Sequence, residues 1–421
     1  MTLQRRARAA ARRSSLRPLA YARGTVLINM SVTALQSGEL LYGGPPHRLQ
    51  RSLGLIKPGD PMIARRAELL VLVGWVPLVV LAVAQSLIHR NQMAKSFFSD
   101  FAVYARSLVA APLFILAEKD CIPRLGRVAR HFLVAGLITE PDRARFDDAV
   151  TSTRRLLDSG LAELMAAILA YGLVISLMIY VPPDELPSWY WLKSDYRVLS
   201  LAGWWNALVS APLFILLFFG WLWRVFLWAR FLWLMSRLDL RLIPGHPDHA
   251  GGLMFVGDSL RAFWLVGFAL GAVLAGQVAN RITLYGESLV TFKHIVIGLA
   301  VFVLILFVGP LTLFIGKLRE TKRRGDFEYG ALAGGVGRQF ERDCLKRERG
   351  ADEESPNDQD FSSAANIYGI VANVYGMKDF PFGLRNLGLL VAVTLAPFVP
   401  VALMVMPLNV IIKDFAKMLS L

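Results

Sequence analysis

The sequence predicts an all-α, polytopic membrane protein of about seven transmembrane helices, and three observations carry that prediction. Hydrophobic residues make up 55% of the 421-residue chain. They gather in runs of about 20, each long enough to cross a hydrocarbon core roughly 30 Å thick. None of these runs alternates with the period of two that a membrane barrel needs, and a spanning segment that satisfies its own backbone must be helical. The third observation is the charge. Lys and Arg number 46 against 32 Asp and Glu, a formal net charge of +14, and the excess falls in alternate loops, the asymmetry that sets orientation in a membrane. In a soluble chain this balance would suggest nucleic acid; here it points to anionic lipid at a cytoplasmic face, and no nucleic-acid partner is expected.

Residues 1–66 form a basic tail that carries Arg5, Arg6, Arg8, Arg12, Arg13 and Arg17 and no acidic residue before Glu39. No apolar run of signal-peptide length follows the first arginines, so a cleaved leader is not expected. A cytoplasmic tail is the reading; an organelle transit peptide is the alternative, with Met30 as an alternative start. The membrane domain then occupies residues 67–421. Its first two helices are predicted over residues 68–87 and 101–117, joined by a loop with only Arg90 and Lys95 as bases. A basic loop follows at 118–159. Within it Thr139-Glu140-Pro141-Asp142 reads as a helix start, with proline in the first turn and acids at the positive end of the dipole. Phe146, Ala149, Val150, Thr153, Leu156 and Leu157 then fall on one face, and this amphipathic helix is expected to run straight into the third membrane helix at 160–181.

The loop at 182–203 carries Trp189, Tyr190, Trp191 and Tyr196, with Trp204 and Trp205 beyond it, which suggests a belt at the outer interface. The fourth helix is predicted to reach Ser236, and a second basic loop covers 237–261. The fifth and sixth helices cover about 262–280 and 295–318. The third basic loop, 319–385, holds an acidic insert at 352–360 that reads as disordered. A last apolar run at 387–412 contains Pro397, Pro400 and Pro407: a kinked span or a re-entrant pair of half-helices, of which the length favours a span. The amino terminus is then cytoplasmic and the carboxyl terminus periplasmic, with residues 408–421 as a short surface helix. Cys121 and Cys344 both fall in cytoplasmic loops, where two thiols are not expected to pair.

Inside the membrane the most informative feature is a repeat. Ala111-Pro112-Leu113-Phe114-Ile115-Leu116 recurs letter for letter at 211–216, and Leu108-Val109 precedes it as Leu208-Val209 does. Gly309-Pro310-Leu311 with Phe314-Ile315 is a degenerate third copy. Two readings stand: tandem helical hairpins of roughly 100 residues with a closing seventh helix, or prolines placed independently where apolar helices kink.

Candidate functional residues fall in two groups. Arg106, Glu163, Arg224, Arg230, Gln277 and Asn280 lie within predicted spans, where polar groups mark function. Glu163 sits in a first helical turn, and the arginines lie near helix ends from which long side chains reach headgroups. The other group is the turn after the fourth helix, where His246, Asp248 and His249, with Asp239 nearby, supply nitrogen and oxygen ligands of the kind a catalytic metal uses. Their spacing matches no established ligand motif, and His-Pro-Asp before Ala-Gly-Gly is also an ordinary turn in which Asp caps its own backbone. The glycines of 330–337 follow no strand and end in no Lys-Ser or Lys-Thr, so they are not a phosphate loop. No cofactor is specified.

The segments LDLRLIPGHPDHAGGLMFVG, EYGALAGGVGRQFERDCL and FPFGLRNLGLLVAVTLAPFVPVALMVMPLNVIIKDF together resemble a family of uncharacterised bacterial multi-pass integral membrane proteins, over most of the chain from Glu68 onward. The resemblance implies a bacterial inner membrane and an undivided membrane domain. It transfers no catalytic residue. His249 and the glycines at 334–337 depart from its pattern, and the first departure weakens the metal reading. The function classes that follow are, in order, a small-solute or ion transporter or channel, a membrane anchor or signalling scaffold with a protein partner, and a membrane-bound metalloenzyme; a homo-oligomer is compatible with each.

Overall fold

The computed structural model describes residues 40–52, 54, 62–90, 92–182, 186–192, 195–342 and 358–405. The tail before residue 40, Cys344, the acidic insert up to residue 357 and the surface helix expected at 408–421 lie outside the described residues. The fold is an all-α polytopic bundle. Six helices are long and apolar enough to cross a membrane: Ile63–His89, Phe101–Val134, Gly160–Tyr180, Leu201–Ser236, Trp264–Tyr285 and Leu289–Gln339. A seventh span is completed if Leu384–Leu395 and Phe398–Val405, bent by 53°, are taken together. The bend falls at Ala396-Pro397, where proline cannot donate to the preceding turn.

Two predicted helix ends are corrected. The second span does not stop at Ala117; it continues as helix through Pro123 to Val134. Leu125, Val128, Ala129 and Phe132 keep a helical stripe in the core after the mean hydropathy has dropped, so falling hydropathy marks the loss of an all-round apolar surface and not the end of the helix. Cys121 is therefore a buried helical residue and not a loop thiol. The sixth span likewise runs on past Leu318 as Ile315–Phe340, carrying the basic residues 319–324 and the glycines of 330–337 on a helix that packs against Asp358–Tyr375. The amphipathic helix forms over Arg143–Leu157 with Phe146, Ala149, Val150, Thr153 and Leu157 buried, but it breaks at Asp158 and Ser159 before the third span begins at Gly160.

The bundle has a basic end and an aromatic end. At the basic end Ile138 bridges Leu240, the Leu242 carbonyl accepts from Arg324 at 3.5 Å, and Arg319 faces Asp379 at 3.5 Å, so the three basic segments meet. At the aromatic end the loop after the third span folds inward. Trp189, Tyr190 and Trp191 are 0%, 8% and 8% exposed, whereas Trp204 is 51% exposed. The expected interfacial belt is thus corrected for the first three rings: they form a core between the first, second and fourth spans.

The 100-residue repeat is visible in local structure. Asp100 and Ser200 each cap a helix, their side chains accepting from the N–H three residues on, at Val103 and Gly203. Each helix then widens into a π segment, Ala105–Ala110 and Asn206–Ser210, before the Ala-Pro that restarts α-helix. Proline is tolerated at the restart because a first-turn N–H has no intrahelical partner to lose. The third copy differs: Gly309–Phe314 tightens into 3-10 helix. The first and second spans pack on each other, as do the third and fourth, while the fifth span packs chiefly on the second span and on Leu384–Leu395.

One segment is threaded into the bundle. Leu40 and Leu41 are in the core, and the turn after them lies against the fourth span so closely that a Cβ at Gly220 would collide with the Pro45 carbonyl. Gly298, in the sixth span, has open space where its Cβ would go. Gly220→Ala should therefore lower stability by roughly 1–3 kcal/mol through overpacking, whereas Gly298→Ala should leave it unchanged or raise it by about 0.5–1 kcal/mol through helix propensity; thermal unfolding of the two variants in the same detergent checks the pair.

Candidate functional site

The turn after the fourth span is built around Asp248. Its Oδ1 accepts from the Ala250 and Gly252 N–H groups at 2.9 and 3.1 Å and its Oδ2 from Met254 N–H at 3.1 Å. The Nδ1 of His246 lies 2.8 Å from Oδ1 and 3.3 Å from the Asp248 N–H, so this ring closes the turn on the residue two positions ahead. Partial burial raises the Asp248 pKa, but the three backbone donors and His246 outweigh it and hold the carboxyl below its usual value. His249 faces elsewhere. It adopts a left-handed φ of 55°, its carbonyl accepts from Lys378 N–H at 2.7 Å, and its ring lies against Asn373 and Gly376. Asp239 is exposed; its N–H donates to Asp142 Oδ2 at 2.7 Å, and it borders a separate 780 Å³ cavity with Lys317, Arg323 and Arg324. Among the described residues, no group of three His, Cys, Asp or Glu side chains is arranged to hold a metal ion. His246 and Asp248 share one contact, His249 and Asp239 serve others, and the Asp248 carboxylate is spent on its own backbone.

The polar residues predicted within the spans separate into two layers. The outer layer ties the aromatic end. Asn280, at the end of the fifth span, donates to Asp100 Oδ1 and accepts from Phe101 N–H, both at 2.7 Å, and Trp189 Nε1 donates to Asp100 Oδ2 at 2.8 Å. Beside it Arg106 Nη2 donates to Asn206 Oδ1 at 2.5 Å and Asn206 Nδ2 donates to Tyr190 Oη at 2.8 Å. Burial pushes the Tyr190 hydroxyl up despite the nearby Arg106 charge, so it stays neutral. The Gln85 side chain accepts from Leu201 N–H at 2.8 Å and joins the first span to the fourth. Arg106 is thus turned inward and not out to headgroups. Gln277 is exposed, and Glu163 is half-buried in the first turn of the third span.

The inner layer is the one sequence reasoning missed. Glu118 Oε2 accepts from Arg66 Nη1 and Oε1 from Arg224 Nη2, both at 2.8 Å, and the three residues are 6%, 3% and 4% exposed. Arg224 also donates to the Gly43 carbonyl of the threaded segment at 2.8 Å and lies over the Trp221 ring. It does not reach headgroups, which corrects the expectation from its place near a helix end: the fourth span turns that face toward Glu118, and a 2.8 Å partner inside the bundle competes better than distant water. Arg230, two turns on, reaches Ser152 Oγ at 3.1 Å on the amphipathic helix.

Among the described residues, the inner layer pairs two guanidiniums with one carboxylate. The Nε atoms of Arg66 and Arg224 and the Oε1 of Gln50 are buried without a hydrogen-bond partner among the described residues. Arg66 and Gln50 line a cavity of about 400 Å³ whose other walls are Leu, Val, Ile and Ala residues of the first four spans, with Tyr171. The sequence places Arg66 in the tail and Glu118 in a loop; the only signal in the chain is that a 100-residue register pairs Glu118 with Phe218, a charge where the other copy has an aromatic ring.

Comparison of the chain with protein-family models, with curated proteins and with solved structures finds no match.

Two predictions follow from these layers. Glu118→Ala leaves two buried guanidiniums unpaired and should cost about 3–5 kcal/mol in denaturant unfolding, while the triple variant Arg66→Met, Glu118→Leu, Arg224→Met should recover most of that loss. For the turn, a carboxyl held below its usual value contributes stability in full above about pH 4, lost as pH falls through the lowered folded value. Asp248→Asn should therefore flatten the loss of stability between about pH 4 and pH 2, and an acid unfolding curve superimposable on that of the native protein would refute this.

Proposed function

We propose that the protein resides in a bacterial inner membrane with its amino terminus cytoplasmic and its carboxyl terminus periplasmic, and that it binds and moves a small solute, with Arg66, Glu118 and Arg224 at the charged end of the binding site. The orientation follows from the gathering of the basic segments at one end of the bundle, the end expected to face the cytoplasm and its anionic lipid. The transport reading is carried by one observation, the buried Arg66–Glu118–Arg224 cluster beside a cavity inside the helical bundle. Charges within a membrane domain are costly and are kept where they serve a solute or ion.

The chemistry of the cluster suits an anion. Arg presents a planar fork of donors that matches carboxylate and phosphate, and the Nε of each arginine is buried without a hydrogen-bond partner among the described residues. Of the three charged residues Arg66 lines the cavity, so a solute anion entering it meets Arg66 first. The four spans around the cavity are the two hairpins of the repeat, and parallel hairpins that rock against each other are an established way to expose such a site alternately. The metalloenzyme reading is weaker, because His246 pairs with Asp248 while His249 and Asp239 serve contacts elsewhere.

Reconstitution into proteoliposomes and measurement of flux for a panel of organic carboxylates, organic phosphates, amines and sugars tests the proposal. Carboxylates or phosphates should move, Arg224→Gln should abolish the flux, and Asp248→Ala should leave it intact. Flux of no solute class, or flux indifferent to Arg224→Gln, would overturn it.

A further inference from the structure

We infer that the solute held at Arg66 is an anionic amphiphile with a single acyl chain, taken up sideways from the bilayer; this rests on the anion-site reading just given. The observation behind it is the shape and polarity of the cavity. Arg66, Leu69, Leu70 and Val73 all line it, and their spacing of three, four and seven residues puts them on one face of the first span. That face climbs about 10 Å from the charge toward the middle of the bundle, at 1.5 Å per residue. The opposite wall is Leu208, Val209, Pro212, Leu213 and Leu216 of the fourth span, and Ala167, Ala170 and Tyr171 of the third span close the side. One end of the cavity therefore offers a guanidinium and a glutamine amide, and the rest offers hydrocarbon.

A fully polar anion would leave those walls facing water-sized space with nothing to solvate it, whereas an acyl chain removes apolar surface on both partners. The volume, about 400 Å³, sits at the small end of ligand sites, which run from roughly 300 to 1,000 Å³; one chain of medium length fits and a two-chain lipid does not. The mouth is lateral. Tyr171 and Leu208 at its rim are 46% and 53% exposed, on helices long and apolar enough to cross a membrane, and Tyr171 Oη donates to the Leu208 carbonyl at 3.0 Å across the top of the opening. The charge lies in the first turn of the first span and at the end of the apolar run of the second, so the head of an acyl anion would sit at a helix end and its tail would run along the span. The threaded segment supplies the floor through Pro46 and Gln50, so the cavity is closed toward the basic end and open toward the lipid.

The experiment is photo-crosslinking of the full chain in phosphatidylcholine nanodiscs with a diazirine-bearing fatty acid, the labelled peptides being mapped by mass spectrometry. Label is expected on 69–73 and 208–216. Excess dodecanoate should compete it away, and dodecanol, dodecylammonium and acetate should not. Arg66→Gln should weaken labelling about tenfold or more, the loss expected for one charge-assisted hydrogen bond. Ala167→Trp, which fills the cavity away from the charge, should abolish it at unchanged melting temperature. Equal competition by dodecanol, or labelling spread over all lipid-facing helices and indifferent to both variants, would mean annular lipid only and would overturn the inference; effective competition by acetate would overturn the acyl-chain requirement. Failure here and failure of transport are separable. Labelling as described without flux of any solute refutes transport and leaves the site, while Arg224-dependent flux without labelling refutes the amphiphile.

Discussion

The pairing of Glu118 with two arginines is the constraint on which the membrane-facing half of the molecule depends. In a medium of low dielectric, a lone guanidinium or carboxylate would cost several kcal/mol even after relaxation, so none of the three could occupy its position without the others. Arg66 comes from the first span, Glu118 from the second and Arg224 from the fourth. Their mutual need fixes how the first hairpin meets the second, and Arg224 extends the constraint to the threaded segment through the Gly43 carbonyl. Among the described residues the Nε atoms of both arginines are left without a hydrogen-bond partner, so these pairs do not use every donor of the cluster.

The outer layer solves the same problem with neutral partners. Asp100 is its carboxylate among the described residues, and it receives hydrogen bonds from the Val103 N–H, the Asn280 amide and the Trp189 indole. Each donor comes from a different part of the chain, so the helix cap of the second span is also the anchor of the fifth span and of the inward-folded aromatic loop. Satisfying one carboxylate with three donors costs less than pairing it with a buried cation. The Arg106 Nε of this layer is also buried without a hydrogen-bond partner among the described residues, so what sets the inner layer apart is the cavity that Arg66 and Gln50 line.

The turn at 246–249 shows how two residue types that suggest chemistry can be absorbed by backbone geometry. Asp248 satisfies N–H groups up to six residues ahead, which lets the chain reverse between the fourth and fifth spans without helix, and His246 completes the ring of donors around it. His249 takes a left-handed conformation that sends its side chain to the helix Asp358–Tyr375. Two imidazoles three residues apart thus end on opposite business, one holding the turn and the other holding a distant helix against it.

The sequence by itself determined the class and the positions of the first six spans, because long apolar runs and alternating charge are local properties that need no partner to be recognised. It also marked the repeat, and the helix caps that precede the first two copies are local consequences of Asp100 and Ser200. What only the tertiary structure decided is where polarity is buried. Arg66 and Glu118 stand beside the charged residues of a tail and a loop in the chain, and nothing in their neighbours distinguishes them from Arg65 or Lys119. Helical phase relative to a second and a fourth span turns these two side chains inward, and that phase is set by packing across residues separated by 52 and 106 positions. The same reason applies to Trp189 and Tyr190, which read as headgroup anchors by composition and are core residues because Asp100 and Asn206 wait for them inside.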